Sequence, residues 1–304
     1  MTRVAGIDCG TNSIRLLVAD VHPETGALVE LDRRMTIVRL GQGVDKTGRL
    51  APEALERTFA ACREYAEVIR ELGAERIRFV ATSASRDAEN RQDFVDGVVA
   101  ILGVEPEVIS GDQEAAFSFT GATGSLPGDD RRLVVDIGGG STEFVVGTRE
   151  VEAARSVDIG CVRLTERHVR HDPVTAEEAE AIRADVRAAL DLAAATVPID
   201  SAATLVGLAG SVTTVAALAL GLPEYDSAKI HHSRISAEQV AGITARLLAS
   251  THEERAAIAT IHPGRVDVIV AGALVLQEIV ERVGAAEVVV SEHDILDGIA
   301  LSVA

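Results

Sequence analysis

The amino-acid sequence predicts an α/β protein of two similar domains, and a repeated motif is the main reason. Residues 4–13, Val-Ala-Gly-Ile-Asp-Cys-Gly-Thr-Asn-Ser, join a short apolar strand to an acid and a polar turn. Residues 133–142, Leu-Val-Val-Asp-Ile-Gly-Gly-Gly-Ser-Thr, have the same layout. The two acids, Asp8 and Asp136, are 128 residues apart, which is about the length of one domain. We infer an internal duplication of two βββαβα domains that share a phosphate-binding cleft.

Composition supports a globular protein and limits its partners. The 304 residues are 47% hydrophobic and 25% charged, which is ordinary for a folded chain and long enough for two domains. The formal net charge of −18 argues against a nucleic-acid-binding surface and against a membrane-docking face. An anion site in this chain must therefore depend on local arginines, backbone amides and bound cations.

The sequence also predicts a cytoplasmic location. The N-terminal segment reaches Asp8 too early for a secretory signal peptide. Asp267 and Gln277 interrupt the best apolar run, which argues against a membrane span. The cysteines are odd in number, far apart and without metal-ligand spacing: Cys9, Cys62 and Cys161. That usage is typical of a reducing compartment.

The first predicted domain covers residues 1–124. Its strands are predicted from apolar or alternating runs at 4–8, 16–19, 28–40, 77–81 and 104–109. Residues 41–48 are predicted to be a loop. Pro52 and Gly73 delimit a helix whose apolar stripe places Cys62 in the core. Further helices are predicted from about Thr82 and over 112–121, and the best linker is 126–130.

The second predicted domain covers residues 131–304. Strands are predicted at 133–137, 143–147, 204–208 and 287–290, with another leading to Val157. Three capping boxes predict helix starts: Thr175 with Glu178, Ser236 with Gln239, and Thr251 with Glu254. A long buried helix is predicted over 265–283. A final helix at 294–302 could pack back on the first domain.

The two glycine-containing turns are candidate phosphate-binding loops. Glycine lets the backbone adopt angles that aim successive N–H groups at one anion. The candidate phosphate-binding residues are Gly10, Thr11, Asn12 and Ser13 in the first turn, and Gly138, Gly139, Gly140, Ser141 and Thr142 in the second. Ordinary tight turns are the alternative interpretation.

Seven segments point together to a known family. They occur at residues 7–16, 81–90, 109–115, 136–143, 160–165, 210–214 and around 291–294. In this order they resemble the Ppx/GppA exopolyphosphatase family of the actin-like ATPase superfamily. The resemblance spans residue 4 to about 300 and implies two actin-like (ribonuclease H-like) domains. It is closest to the short, two-domain, actinobacterial-type members, because longer relatives continue into a helical domain.

The resemblance implies a hydrolase that removes the terminal phosphoryl group of inorganic polyphosphate as orthophosphate. The matching acids imply a Mg²⁺ site at Asp136 and Glu143, with Mn²⁺ as the alternative metal. Asp8 is the equivalent acid of the first turn and is either a third metal residue or a turn cap. Glu143 as an ordinary polar strand residue is the other interpretation.

Glu114 is the candidate catalytic base. It matches the acid of the family's Ser-Gly-x-Glu-Glu-Ala segment, and Gln113 replaces the second acid that many relatives have. Only Glu114 is therefore left to act as the base, although the effect of Gln113 on activity is open. A carboxylate that stabilises the first turn of a helix is the alternative interpretation.

Arginines and a third glycine turn complete the candidate site. Arg86 and Arg15 are candidate phosphate ligands, because a guanidinium group matches phosphate oxygens. Gly210 and Ser211 are expected to line the cleft, at the position of the adenosine-side loop of actin-like ATPases. The histidines show no ligand spacing, and His231 and His232 are expected to point to opposite sides.

Rival functions remain open at this stage. Guanosine pentaphosphate (pppGpp) phosphohydrolase uses the same chemistry on another end group. A sugar or carboxylate kinase shares the glycine turns, and a weakly active regulator that binds pppGpp or ppGpp shares the fold. The resemblance also implies a homodimer and a link to the stringent response, whereas neither nucleic acid nor a membrane is expected as a partner.

Overall fold

The computed structural model describes residues 1–22, 24–124 and 126–303. Two compact units are distinguished by their internal contacts. The first contains the described residues up to Gly121 and those from Ile295 onward, and the second contains those from Ala122 to Asp294. Among the described helices, none combines the length and hydropathy that a bilayer crossing requires.

The first unit is built on a five-stranded sheet. Its strands are β1 (Thr2–Cys9), β2 (Ser13–His22), β3 (Ala27–Ile37), β4 (Arg76–Ala81) and β5 (Glu107–Val108). Their order is β3-β2-β1-β4-β5, with β1 to β3 antiparallel and with β4 and β5 parallel to β1. Its helices are α1 (Val44–Thr47), α2 (Pro52–Leu72), α3 (Ser83–Asp87), α4 (Arg91–Leu102), α5 (Gly111–Thr123) and, at the end of the chain, α13 (Ile295–Leu301).

The second unit is built on a six-stranded sheet. Its strands are β6 (Arg132–Ile137), β7 (Thr142–Gly147), β8 (Val151–Val157), β9 (Thr204–Leu208), β10 (Arg234–Ser236) and β11 (Glu287–Val290). Their order is β10-β11-β9-β6-β7-β8. Its helices are α6 (Cys161–His168), α7 (Ala176–Ala194), α8 (Ala209–Ala219), α9 (Ser227–Ile230), α10 (Ala237–Ala249), α11 (His252–Ala256) and α12 (Ile269–Val283).

The two sheets confirm the predicted duplication. Without β10, the second sheet has the order β11-β9-β6-β7-β8, which repeats β5-β4-β1-β2-β3 of the first. In both, an antiparallel hairpin is followed by a third antiparallel strand, and the later strands run parallel to the first. Each glycine turn therefore connects the first two strands of its sheet.

Local sequence signals place most of the helices. Helix α2 begins at Pro52 and ends at Gly73, whose φ of 68° stops the helix because glycine adopts left-handed backbone angles easily. All three predicted capping boxes are present, with side-chain and backbone N–H groups bonded reciprocally. Cys62 is fully buried in the core of the first unit, as its position in the apolar stripe predicts.

Two helix predictions are wrong. Helix α12 begins at Ile269 rather than at Arg265, because Pro263–Arg265 forms a 3-10 turn whose Gly264 N–H donates to His262 Nδ1 at 3.1 Å. The predicted loop at 41–48 contains the short helix α1, bounded by Gly43 and Gly48 at φ values of 76° and 68°. A helix of four residues is too short to produce a hydrophobic period.

Helix α13 is packed tightly within the first unit. A Cβ atom added at Gly298 would lie 2.1 Å from the backbone oxygen of Phe117 in α5. The Asp297 carboxylate, only 4% exposed, pairs with Arg33 of β3 at 2.6 Å. The backbone contact holds α13 to α5, and the ion pair holds it to strand β3 of the same unit.

We expect Gly298→Ala to lower the free energy of unfolding by about 1–3 kcal/mol, because α13 and α5 must separate to accommodate the methyl group. Gly242→Ala is the matched control, since Gly242 lies within α10 with open space around its Cβ position. That change should raise stability by about 0.4–1 kcal/mol. Urea unfolding measures both, and equal effects of the two changes would contradict the packing described.

Candidate anion- and metal-binding site

The two glycine turns close in the same way. In the first, the Gly10 N–H donates to the Ser13 carbonyl at 2.9 Å. In the second, the Gly138 N–H donates to the Ser141 carbonyl at 3.0 Å. These two N–H groups are therefore used inside the turns, so that only the later N–H groups of each turn are left for a ligand.

Neighbouring backbone holds the carbonyl groups of the first turn. The Thr11 oxygen accepts from Gly41 N–H at 2.9 Å, and the Asn12 oxygen accepts from the N–H groups of Val38 and Arg39 at 3.1 and 2.9 Å. Gly41 comes so close that a Cβ atom there would lie 2.3 Å from Thr11 Cγ2. The segment after β3 thus supports the first turn from one side.

The start of α6 supports the second turn in the same manner. The Gly138 oxygen accepts from Cys161 N–H at 3.0 Å, and the Gly139 oxygen accepts from the N–H groups of Val162 and Arg163 at 2.9 and 3.1 Å. Arg163 Nε also donates to the Gly140 oxygen at 2.7 Å. The three backbone donors, at Cys161, Val162 and Arg163, are N–H groups of the first helical turn, which have no acceptor within the helix itself.

Gly160 allows the segment before α6 to approach the backbone of the second turn closely. A Cβ atom at Gly160 would lie 2.3 Å from the carbonyl carbon and oxygen of Gly139 and 2.4 Å from Gly140 N. No side chain fits in that space, because the obstacle is backbone rather than a movable side chain. The second turn is therefore fixed in position by the residue that precedes α6.

Fixing the carbonyl groups sets the direction of the N–H groups. In a planar trans peptide the C=O and N–H bonds point in opposite directions. Within the described chain, four of the N–H groups that follow these fixed carbonyl groups, at Asn12, Gly139, Gly140 and Ser141, donate to no protein acceptor. Three successive N–H groups in the second turn form the kind of row that binds oxyanions.

Cross-strand pairing brings the candidate acids into equivalent positions of the two hairpins. Asp8 is opposite Arg15 in the β1–β2 pair, and Asp136 is opposite Glu143 in the β6–β7 pair. Arg15 Nη2 lies 2.7 Å from Asp8 Oδ2, and Arg15 Nε lies 3.0 Å from the same oxygen. The first hairpin therefore has a cationic side chain where the second has a carboxylate.

The acid pair of the second hairpin suits a cation whose remaining ligands are water and the phosphate oxygens of a bound substrate. Asp136 and Glu143 are 7% and 1% exposed, and directly opposed residues have Cβ atoms about 5 Å apart. Across residues 1–22, 24–124 and 126–303, no group of three or more His, Cys, Asp and Glu is arranged to hold a metal. Two carboxylates are nevertheless sufficient for Mg²⁺, which commonly completes its shell with water and substrate phosphate.

The structure brings Arg86 and Glu114 together. Arg86 lies on α3, which follows β4, and Glu114 lies in the first turn of α5. Arg86 Nη1 donates to Glu114 Oε2 at 3.0 Å and to the Ile109 carbonyl at 2.9 Å. Glu114 is 8% exposed, so its carboxylate is held by an ion pair in a mostly buried position.

The predicted third glycine turn is the start of helix α8, and its own neighbours fill the space around it. Arg265 Nη1 donates to the Gly210 carbonyl at 3.1 Å, and a Cβ atom at Gly210 would lie 2.0 Å from Arg265 Cζ. Ser211 is 5% exposed and packs against Gly272 of α12. Burial raises the pKa of the adjacent Cys161 thiol, so Cys161 is a packing residue at neutral pH.

The expectation for His231 and His232 is wrong. Their rings stack, with centroids 3.7 Å apart, and His293 lies 4.3 Å from His231. His232 has a φ of 61°, a left-handed angle that is uncommon outside glycine. This angle turns consecutive side chains to the same side, and extended-strand alternation does not apply.

Several residues that shape the site were not predicted from the sequence. Gly160 and Arg163 hold the second turn, Arg265 contacts the start of α8, and Ser156 Oγ donates to Glu143 Oε1 at 2.7 Å. Gly160 and Arg163 lie in a segment that resembles the family, but no spacing rule identifies the backbone that they contact.

Comparisons with known proteins agree with the topology. The model of the Ppx/GppA phosphatase family matches residues 17–304. Exopolyphosphatase 2 of Mycobacterium tuberculosis is 51% identical, and the match covers 100% of this chain and 99% of that protein. The crystal structure of the Aquifex aeolicus Ppx/GppA family member is 32% identical, with a TM-score of 0.81 over 99% of this chain and 97% of that one.

A match over part of the chain carries a different activity in its name. A guanosine-5'-triphosphate,3'-diphosphate pyrophosphatase of Photobacterium profundum is 36% identical over 58% of this chain and 35% of its own length. The two duplicated sheets, each with its hairpin turn, define a protein of two related α/β units. The chain belongs to the Ppx/GppA phosphatase family.

We expect Gly160→Ala to weaken the binding of tripolyphosphate by about ten-fold, since a displaced second turn loses at least one charge-assisted hydrogen bond of roughly 1.5 kcal/mol. Calorimetric titration of the folded variant measures this, with Gly242→Ala as the control. Affinity within two-fold of the unchanged protein would show that the second turn does not contact the anion.

Proposed function

We propose that this protein is an exopolyphosphatase, a hydrolase that releases orthophosphate from the end of inorganic polyphosphate. The main observation behind the proposal is the row of N–H groups at Gly139, Gly140 and Ser141. This row lies in the turn that connects the strands of the buried acids Asp136 and Glu143. The 51% identity to an exopolyphosphatase over the full chain supports it.

The turns supply charge stabilisation in this proposal. Phosphoryl transfer spreads negative charge over the oxygens of the transferred group, and fixed N–H donors stabilise that charge without reorganising. The donors at Asn12, Gly139, Gly140 and Ser141 are fixed by the carbonyl contacts behind them. Thr11, Ser13 and Thr142 shape the two turns, and the N–H groups of Gly10 and Gly138 close them.

We place a divalent cation at Asp136 and Glu143, with Mg²⁺ as the first candidate and Mn²⁺ as the second. Such a cation neutralises charge on the phosphate oxygens. Asp8 is the weaker candidate ligand, because Arg15 already neutralises its carboxylate at 2.7 Å. Arg15 bonds to Asp8 through both Nε and Nη2, which makes it a weaker candidate phosphate ligand than Arg86.

Glu114 is the proposed base that accepts a proton from the attacking water. Arg86 holds the Glu114 carboxylate in place and also contributes to phosphate binding. Both of its hydrogen bonds in the described chain use Nη1, so Nε and Nη2 remain for a phosphate oxygen. The guanidinium group, with its side chain 25% exposed, is accessible enough for that contact.

A second candidate function is hydrolysis of pppGpp, which the similarity to the Photobacterium pyrophosphatase supports over part of the chain. The imidazoles of His231 and His232 stack on each other, and this stacking is not evidence for binding of the guanine base of pppGpp. We treat the pppGpp activity, homodimerisation and a role in the stringent response as secondary proposals.

One assay tests the proposed function. Orthophosphate release is measured side by side from long-chain polyphosphate, tripolyphosphate and pppGpp, with Mg²⁺ present or chelated. We expect release from polyphosphate that chelation abolishes. Faster release from pppGpp than from both polyphosphates would favour the second candidate, and no release from any of them would indicate a binding protein.

We expect Glu114→Gln to lower the rate of phosphate release by about 10²–10⁴-fold, the usual contribution of a general base, with tripolyphosphate affinity changed much less. Asp112→Asn is the control, because Asp112 lies in the same first turn of α5 but is exposed. Steady-state rates and binding titrations separate the two effects. Equal rates in the two variants would remove Glu114 from the mechanism.

A further inference from the structure

A polar row crosses three strands of the second sheet. Asp136 of β6 is opposite Glu143 of β7, and Glu143 is opposite Ser156 of β8. Ser156 Oγ donates to Glu143 Oε1 at 2.7 Å. Because Glu143 is only 1% exposed, a protein donor such as this hydroxyl replaces the water that an exposed carboxylate would have.

We propose that Ser156 is the positioning residue for the divalent cation at Asp136 and Glu143. Carboxylates that bind metals are themselves held by hydrogen bonds, which fix their orientation before the metal arrives. Holding Oε1 from the β8 side fixes the plane of the Glu143 carboxylate relative to Asp136. This inference rests on the proposed cation site and goes beyond it by assigning a role to β8.

The first hairpin provides an internal comparison. There the residue opposite Asp8 is Arg15, and the next residue across the sheet is Met35 of β3. A thioether cannot orient a carboxylate by donating a hydrogen bond. The hydroxyl group thus occurs in the hairpin that has the acid pair, whereas the hairpin with the Asp8–Arg15 pair has a thioether at this place.

The position of Ser156 also links the cation site to the turn. Strand β8 ends at Val157, and three residues later Gly160 lies against the backbone of Gly139. The short connection contributes a further bond, from the Thr142 hydroxyl to the Ile159 carbonyl. One segment, 156–160, therefore supports both the metal-binding carboxylate and the anion-binding turn.

The test measures metal binding directly, without substrate. Mn²⁺ is titrated calorimetrically into the whole protein and into Ser156→Ala, Ser156→Thr and Thr148→Ala. Thr148 is the matched control, because its hydroxyl bonds to Glu152 at 3.1 Å at the exposed end of the same β7–β8 hairpin. We expect Ser156→Ala to bind Mn²⁺ about 10–100-fold more weakly, Ser156→Thr to recover most of the affinity, and Thr148→Ala to match the unchanged protein.

Each result decides the proposal. Unchanged Mn²⁺ affinity in Ser156→Ala, or an equal loss in Thr148→Ala, overturns it. Orthophosphate release as a function of Mn²⁺ concentration provides the second readout, where we expect a higher half-saturating concentration and a recovered rate at saturation. If the protein binds Mn²⁺ as expected but releases no orthophosphate, the proposed function fails while the role of Ser156 stands. Release without any Mn²⁺ binding overturns the role of Ser156 alone.

Discussion

The hydrogen bonds that hold the carbonyl groups of the second glycine turn are the constraint on which the candidate site depends. A row of glycines is flexible by itself, and it becomes a defined anion receptor only when one side of each peptide is fixed. The first turn of α6 fixes that side, through the N–H groups of Cys161, Val162 and Arg163 and through the Arg163 guanidinium. The helix start thus directs the N–H groups of residues 139–141 away from itself, and Gly160 allows the close approach.

Duplication gave the two hairpins the same geometry, and substitution at one register position gave them different chemistry. Arg15 and Glu143 lie opposite the equivalent acids of their hairpins, Asp8 and Asp136. In the first hairpin the Arg15 guanidinium group forms an ion pair with the Asp8 carboxylate. Carboxylates are the oxygen ligands that Mg²⁺ prefers, and the pairing of Asp136 with Glu143 across β6 and β7 is the physical reason to place a divalent cation there.

The sequence predicted the secondary-structure elements of this protein better than the tertiary contacts that support the glycine turns. Strand positions, the three capping boxes and the buried Cys62 follow from periodicity and from local hydrogen bonding, which the sequence records directly. The support behind the turns is different, because Gly41 and Gly160 reach the turns through tertiary packing. The start of α12 and the stacking of His231 on His232 depend on a 3-10 turn and on one left-handed residue, and neither follows from hydrophobic patterning.

A crystal structure with tripolyphosphate and Mn²⁺, using the anomalous scattering of manganese, tests the central claim most directly. We expect a manganese peak at the carboxylates of Asp136 and Glu143, and a terminal phosphate within about 3 Å of the N–H groups of residues 139–141. A manganese peak at Asp8 with Arg15 displaced, or a phosphate bound away from the second turn, would contradict it.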